Sequence, residues 1–127
     1  MKNKLNDVQK FMEVFELGYQ KQPTSKIPLN KILLRFDLMK EENEEYLEAA
    51  KNDDLVEIAD ALGDMLYILL GTVLEHGLQD KIEAVFNEIQ RSNMSKLDTN
   101  GKPIYREDGK VLKGSNYCKP KIKEILD

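Results

Sequence analysis

Glu41, Glu42, Glu45 and Asp64 are the residues whose types and spacing could do chemistry, because clustered carboxylates offer oxygen ligands to a divalent cation. Like charges at three- and four-residue spacing on a helix repel by about 0.2–0.5 kcal/mol per pair. Lys40 and Lys51 are the only nearby bases, so a cation absent from the sequence would relieve the repulsion. Asp64 lies inside the apolar run Ala61-Leu62-Gly63-Asp64-Met65-Leu66-Tyr67-Ile68-Leu69-Leu70, where a buried, unpaired carboxylate would be costly. Asp60 precedes it by one turn and Glu57 by nearly two, giving one acidic stripe. If the two acidic helices are antiparallel neighbours, the stripe faces Glu42 and Glu45, and five or six carboxylates converge. Such a set, without His or Cys, selects Mg²⁺, with Mn²⁺ as a substitute, over zinc. Spacing alone leaves a second reading open, an acidic patch paired with Lys or Arg. Glu44 and Glu48 read as a solvated face.

The elements that must position these groups follow from apolar periodicity. Leu5, Val8, Phe11, Met12, Phe15 and Tyr19 predict a first helix from Leu5 to Tyr19. Pro23, Thr24 and Ser25 mark a turn, and Pro28 suits the first position of a second helix running to about Lys51, with Leu29, Ile32, Leu33, Phe36 and Met39 inward. Asp54 with Glu57 forms a capping box for a third helix, and Gly77 is its stop. Apolar on nearly every side from Leu62 to Leu74, helix three is expected to be the most buried element. A fourth helix is expected from about Leu78 to Ser92, with Ile82, Val85, Phe86 and Ile89 inward. Beyond Asn93 the period stops. Asn100-Gly101 and Asp108-Gly109 mark turns, Ile104–Arg106 can pair with Lys110–Leu112 in a short β-hairpin, and Pro120 can begin a last helix. The fold class expected is all-α: an antiparallel four-helix bundle with an irregular C-terminal tail. At 127 residues the chain reads as a single domain, with a helical core at about 5–93 and a basic tail at 94–127.

Charge is distributed unevenly. Residues 37–64 carry eleven Asp/Glu against two Lys, whereas residues 91–123 carry nine Lys/Arg against three Asp/Glu. The acidic block repels nucleic-acid phosphates, and the basic one is broken by Gly, Pro and Asn, so no nucleic-acid partner is expected. Together the blocks suit a polyphosphate held by metal on one side and by Lys or Asn on the other. No segment has signal-peptide character or membrane-spanning length, so the protein reads as cytoplasmic with no membrane partner. Cys118, the sole cysteine, excludes an intrachain disulfide and reads as a small, partly buried side chain. With one His and one Cys, a Ser-His-Asp or Cys-His nucleophile set is not available. His76 reads as complementing a helix C-terminus, and Phe11 and Phe15 as core.

Glu41-Glu42-Asn43-Glu44-Glu45, followed by Asp60-Ala61-Leu62-Gly63-Asp64-Met65-Leu66-Tyr67, resembles the EExxE and ExxD motifs of the MazG-like all-α nucleoside triphosphate pyrophosphohydrolases. The resemblance continues through Arg91-Ser92-Asn93-Met94-Ser95-Lys96, Gly101-Lys102-Pro103-Ile104 and Arg106–Lys113. It implies a helical fold assembled as homodimers or homotetramers. It further implies Mg²⁺-dependent attack of water on the α-phosphorus of a nucleoside triphosphate, a deoxynucleotide on this reading, with monophosphate and pyrophosphate released. Glu42, Glu45 and Asp64 would be ligands, and Glu41 would bind a second ion or orient the water. Asn93, Lys96, Lys110 and Lys113 resemble the segment that contacts the nucleotide. One position departs from the pattern: the ExxD glutamate falls at Ala61, which cannot ligate. Asp60 is the first substitute and Glu57 the second. The competing hypothesis is a catalytically silent helical module in which Ala61 marks a decayed site.

Overall fold

Three of the helices end in the same way, and these ends decide where the acidic residues lie. The computed structural model describes residues 1–127. Its helices are α1 (Lys2–Val14), α2 (Leu29–Lys51), α3 (Leu55–Glu75), α4 (Ile82–Met94) and α5 (Ile122–Leu126). After α1, Glu16 adopts a left-handed φ of 57°, its N–H donates to Glu13 O at 3.2 Å, and the Leu17 N–H donates to Met12 O at 2.9 Å. This paired reversal satisfies the last carbonyls, and it stops the helix five residues short of the expected Tyr19. The left-handed position is a glutamate rather than a glycine, so local sequence does not mark it.

Asp53 (φ 53°) repeats the device after α2, where the Asp54 N–H reaches Ala49 O at 3.0 Å. Asp54 then caps α3 as expected, its Oδ1 accepting the Glu57 N–H at 3.1 Å. A three-residue link therefore reverses the chain and lays α2 antiparallel to α3. Gly77 (φ 67°) ends α3, with its N–H on Leu74 O and the Leu78 N–H on Val73 O at 2.9 Å. Leu78 is consumed in this reversal, so α4 starts at Ile82 rather than at the expected Leu78.

The α1–α2 connection crosses directly over Gly77. Gln20 N–H donates to Leu74 O at 3.0 Å, Thr24 N–H donates to His76 O at 2.9 Å, and His76 Nδ1 lies 2.8 Å from Thr24 O. A Cβ on Gly77 would collide with the backbone carbonyl of Gln22, in a conformation that already disfavours L side chains. Gly77→Ala is expected to destabilise the protein by about 1–3 kcal/mol, read as a shift of the urea midpoint at unchanged slope.

The chain forms two compact units, Met1–Asp80 and Lys81–Asp127. In the first, α3 packs on α2 and α1, and the core comprises Leu5, Val8 and Met12 of α1, Ala49 of α2, and Ala61, Leu70, Val73 and Leu74 of α3. Helix α3 is not the uniformly buried element expected. Only α1 and α2 cover it, and Leu62, Leu66, Tyr67 and Leu69 remain exposed.

In the second unit α4 packs on α5, and the tail folds back on the end of α4 through the Gly114 N–H to Lys96 O bond at 2.7 Å. The expected hairpin forms as a single antiparallel bridge, Tyr105 to Val111, flanked by Arg106 N–H to Lys110 O and Leu112 N–H to Ile104 O, each 2.8 Å. Phe86 and Ile89, expected on the inner face of α4, are exposed, as is Cys118, because only short segments are available to cover them. The architecture is helical with no sheet, as the periodicity predicts.

Candidate metal centre

Glu42 is where the acidic residues of α2 and α3 act on one another most strongly. Its Oε2 is buried without a hydrogen-bond partner. The carboxyl is pushed up to about 7, first by loss of solvent, then by the Glu45 carboxylate beside it, then by the charges of Asp64 and Asp60. Asp60, Asp64 and Glu45 are therefore close enough to Glu42 for each charge to be felt, so residues from two helices act on one carboxyl.

A cavity of about 470 Å³ is lined by Glu45, Glu48, Ala49, Asn52, Asp54, Glu57 and Asp60. Of the expected ligands, Glu45 and Asp60 line it, whereas Glu42, Asp64 and the exposed Glu41 lie outside the lining. Glu48, read from sequence as solvated, belongs to the lining. The signal for it was its place one turn beyond Glu45. Asn52 joins through its Nδ2, which donates to Glu48 Oε1 at 3.3 Å.

Two expectations change. Asp64 is exposed, so the costly desolvated carboxylate is not Asp64 but Glu42, on the facing helix. The apolar run around Asp64 marks a helix face that is itself uncovered, so it does not enclose the carboxylate. The five or six carboxylates also do not converge on a point: as the side chains lie, no three of them meet closely enough to hold an ion. The donor set nonetheless fits a hard cation, because it is all oxygen, it carries excess negative charge, and Glu42 Oε2 is buried without a partner.

The position of Ala61 is resolved by burial. Ala61 is 2% exposed and part of the core, so it faces away from the acids, whereas Asp60 lines the cavity and its charge reaches Glu42. Glu57 lines the cavity too, farther toward the loop.

In the second unit a cavity of about 420 Å³ is lined by Asn93, Met94, Lys96, Leu97, Pro103 and Val111. It brings together Asn93 and Lys96 of the expected nucleotide-contacting residues. Lys110 and Lys113 stand apart on the surface, with Lys113 Nζ 4.7 Å from the centre of the Tyr117 ring. Sequence reasoning passed over Arg35. Its guanidinium is partly buried between α2 and α3, with Nε donating to Thr72 Oγ1 at 3.0 Å and Nη2 to Ile68 O at 2.6 Å.

The model of the phosphoribosyl-ATP pyrophosphohydrolase family matches residues 8–93, the stretch that contains both acidic helices. An uncharacterised protein of Acanthamoeba polyphaga mimivirus is 33% identical over 69 residues, which is 54% of this chain and 28% of that protein. The match thus spans little more than a quarter of that relative's length. A solved structure of a proposed NTP pyrophosphohydrolase from Exiguobacterium sp. 255-15 is 26% identical, with a TM-score of 0.53, over 98% of this chain and 94% of that one. The acidic residues of α2 and α3 lie inside the stretch matched by the family model, and the chain belongs to the phosphoribosyl-ATP pyrophosphohydrolase family, within the MazG-like all-α NTP pyrophosphohydrolase superfamily.

Proposed function

We propose that the protein is a Mg²⁺-dependent nucleotide pyrophosphohydrolase that adds water across the α–β anhydride of a nucleoside triphosphate, releasing monophosphate and pyrophosphate. A deoxynucleotide is the proposed substrate, in cleansing of the nucleotide pool. The observation that carries the reading is Glu42 of a pyrophosphohydrolase family member, whose Oε2 is buried without a partner and whose carboxyl is raised to about 7 by loss of solvent and then by acidic neighbours on two helices. Glu42, Glu45, Asp60 and Asp64 would hold Mg²⁺ or Mn²⁺. When bound, the ion lowers the pKa of attacking water and offsets charge on the phosphate oxygens. Glu41, one position before Glu42 and exposed to solvent, orients the water. Asn93 and Lys96, with Lys110 and Lys113, supply amide and ammonium donors to the phosphate chain. The family match crosses from the first unit into the second, which supports a single functional domain at 1–127.

Two properties accompany this reading. The uncovered apolar face of α3 supports assembly as a homodimer or homotetramer. No helix is long and apolar enough to cross a membrane, in keeping with a cytoplasmic enzyme.

The competing reading, a catalytically silent module, draws on Ala61, an alanine where the superfamily motif has a glutamate. Incubating the protein with dNTPs, NTPs and phosphoribosyl-ATP in Mg²⁺ or Mn²⁺ separates the two. The expected products are a monophosphate and pyrophosphate in equal amounts, with no diphosphate. Absence of turnover across the whole panel in both metals overturns the proposal in favour of the silent module.

A further inference from the structure

Arg35 is a cation held between α2 and α3, away from the acidic centre. Its Nε and Nη2 donate to Thr72 Oγ1 and Ile68 O, and Thr72 Oγ1 itself donates to the same carbonyl at 3.1 Å. The guanidinium lies in the space left by the missing side chain at residue 71: a Cβ there would lie 2.5 Å from Arg35 Nη2 and 3.2 Å from its Cζ, and would push the end of the arginine aside. Gly71 is buried near the C-terminal end of α3, inside the helix, where glycine is disfavoured relative to alanine by about 1 kcal/mol. The groove this glycine leaves is occupied by the guanidinium. Burial lowers the Arg35 pKa, opposed by the nearby carboxylate of Glu75.

The spacing ties this seat to the carboxylates. Glu42 follows Arg35 by seven residues on α2, and Asp64 precedes Gly71 by seven residues on α3. On antiparallel helices, equal steps in opposite chain directions travel the same way in space. Seven residues bring each helix back to within about 20° of the same face, roughly 10 Å along its axis. The Arg35–Gly71 seat and the Glu42–Asp64 pair are therefore successive rungs of one α2–α3 interface. Apolar side chains tolerate sliding along a neighbouring helix, whereas a fork fastened to one carbonyl and one hydroxyl does not.

We propose that Arg35, seated in the groove left by Gly71, is a positioning residue: it pins α2 against α3 in the register that sets Glu42 and Glu45 opposite Asp60 and Asp64. The metal-holding part of this inference rests on the function proposed above; the register part does not.

The test uses the full chain with Arg35→Met, Arg35→Lys and Gly71→Ala, which expels the guanidinium by its methyl group. Met12→Ala serves as a control that weakens the α1 core without touching the α2–α3 seat. Mn²⁺ affinity is read by electron paramagnetic resonance at a temperature where circular dichroism shows every variant folded. Arg35→Met and Gly71→Ala are expected to weaken Mn²⁺ binding by about 10–100-fold and to lower kcat more than they raise KM. Arg35→Lys should recover part of the affinity, and Met12→Ala should lower the melting temperature while binding Mn²⁺ as the parent does. Parental Mn²⁺ affinity in both Arg35→Met and Gly71→Ala, or an equal loss in Met12→Ala, overturns the proposal. Spin labels at Asn43 and Ala59, in a Cys118→Ser background, report the register without any metal. Arg35→Met should broaden or displace their distance distribution, and an unchanged distribution overturns the pin. If the parent protein binds no Mn²⁺ and turns over no nucleotide, the functional proposal fails, and the label distances still decide the register.

Discussion

Asp64→Asn is expected to lower kcat/KM by on the order of 10³-fold while leaving the metal-free protein at least as stable as the parent. The two halves of that result have one cause. Asn keeps the size of Asp and one carbonyl oxygen but carries no charge, so on the proposed function the ion would lose one anionic ligand and several kcal/mol of its hold on the reacting phosphate are at stake. In the metal-free chain the same charge only repels Glu42, whose carboxyl is raised to about 7 from an ordinary 4.5 partly by Asp64. Removing it relieves that repulsion.

The pH dependence follows with a definite sign. Between about 4.5 and 7 the folded protein holds a proton on Glu42 that the unfolded chain has released, so metal-free stability falls as pH rises through this window. Thermal melts of the metal-free protein at about pH 5 and pH 8 should show the loss, and Glu42→Gln should flatten the trend. Mg²⁺ at a hundredfold excess over its Kd should restore about 2.7 kcal/mol to the parent and much less to Asp64→Asn. An Asp64→Asn protein with parental turnover would remove Asp64 from the chemistry. A fall in its metal-free melting temperature would assign it a structural role.

Leu66→Glu should convert an assembled protein into a monomer at micromolar concentration. Leu62, Leu66 and Leu69 follow one another at helical spacing on α3 and are 50%, 46% and 49% exposed. Nothing else in the first unit covers them, and α2 adds exposed Leu33 and Phe36. Burying a leucine is worth about 1.5–3 kcal/mol, and in a two-fold dimer each substitution counts twice. Replacing the central leucine with an anion should therefore raise the dissociation constant by on the order of 10²–10⁴. Light scattering on a size-exclusion column reads the outcome directly. A parent protein that elutes as a monomer at micromolar concentration would show that this face has another use.

The helices themselves were legible because each needs only local information. A 3.6-residue apolar period, Pro28 at a start, Asp54 as a cap and Gly77 as a stop all act within a few residues of one another. The end of α2 at Lys51 was legible too, but the helix reversal at Glu16 was not. A left-handed residue other than glycine is held there by its surroundings, and its side chain carries no mark of it. The same division runs through the candidate site. The acidic residue types, their all-oxygen character and the motif resemblance lie in the linear chain, and they suffice to point to a divalent cation and a pyrophosphohydrolase.

Which carboxylate loses its water was a tertiary decision. An apolar run around Asp64 reads as burial, yet burial requires neighbours, and the two helices available cover the opposite side of α3. They enclose Ala61 and strip solvent from Glu42 instead. The position of Ala61 was settled in the same way, since one residue of rotation separates the core-facing alanine from Asp60 on the acid-facing side. Arg35 and Gly71 lie 36 residues apart in the chain, and neither looks unusual alone. The carboxylate cluster was thus a property of the amino-acid sequence. Its register, its desolvated member and the cation that pins the helices beside it exist only where α2 and α3 meet, because desolvation and close approach depend on what each side chain faces across that interface.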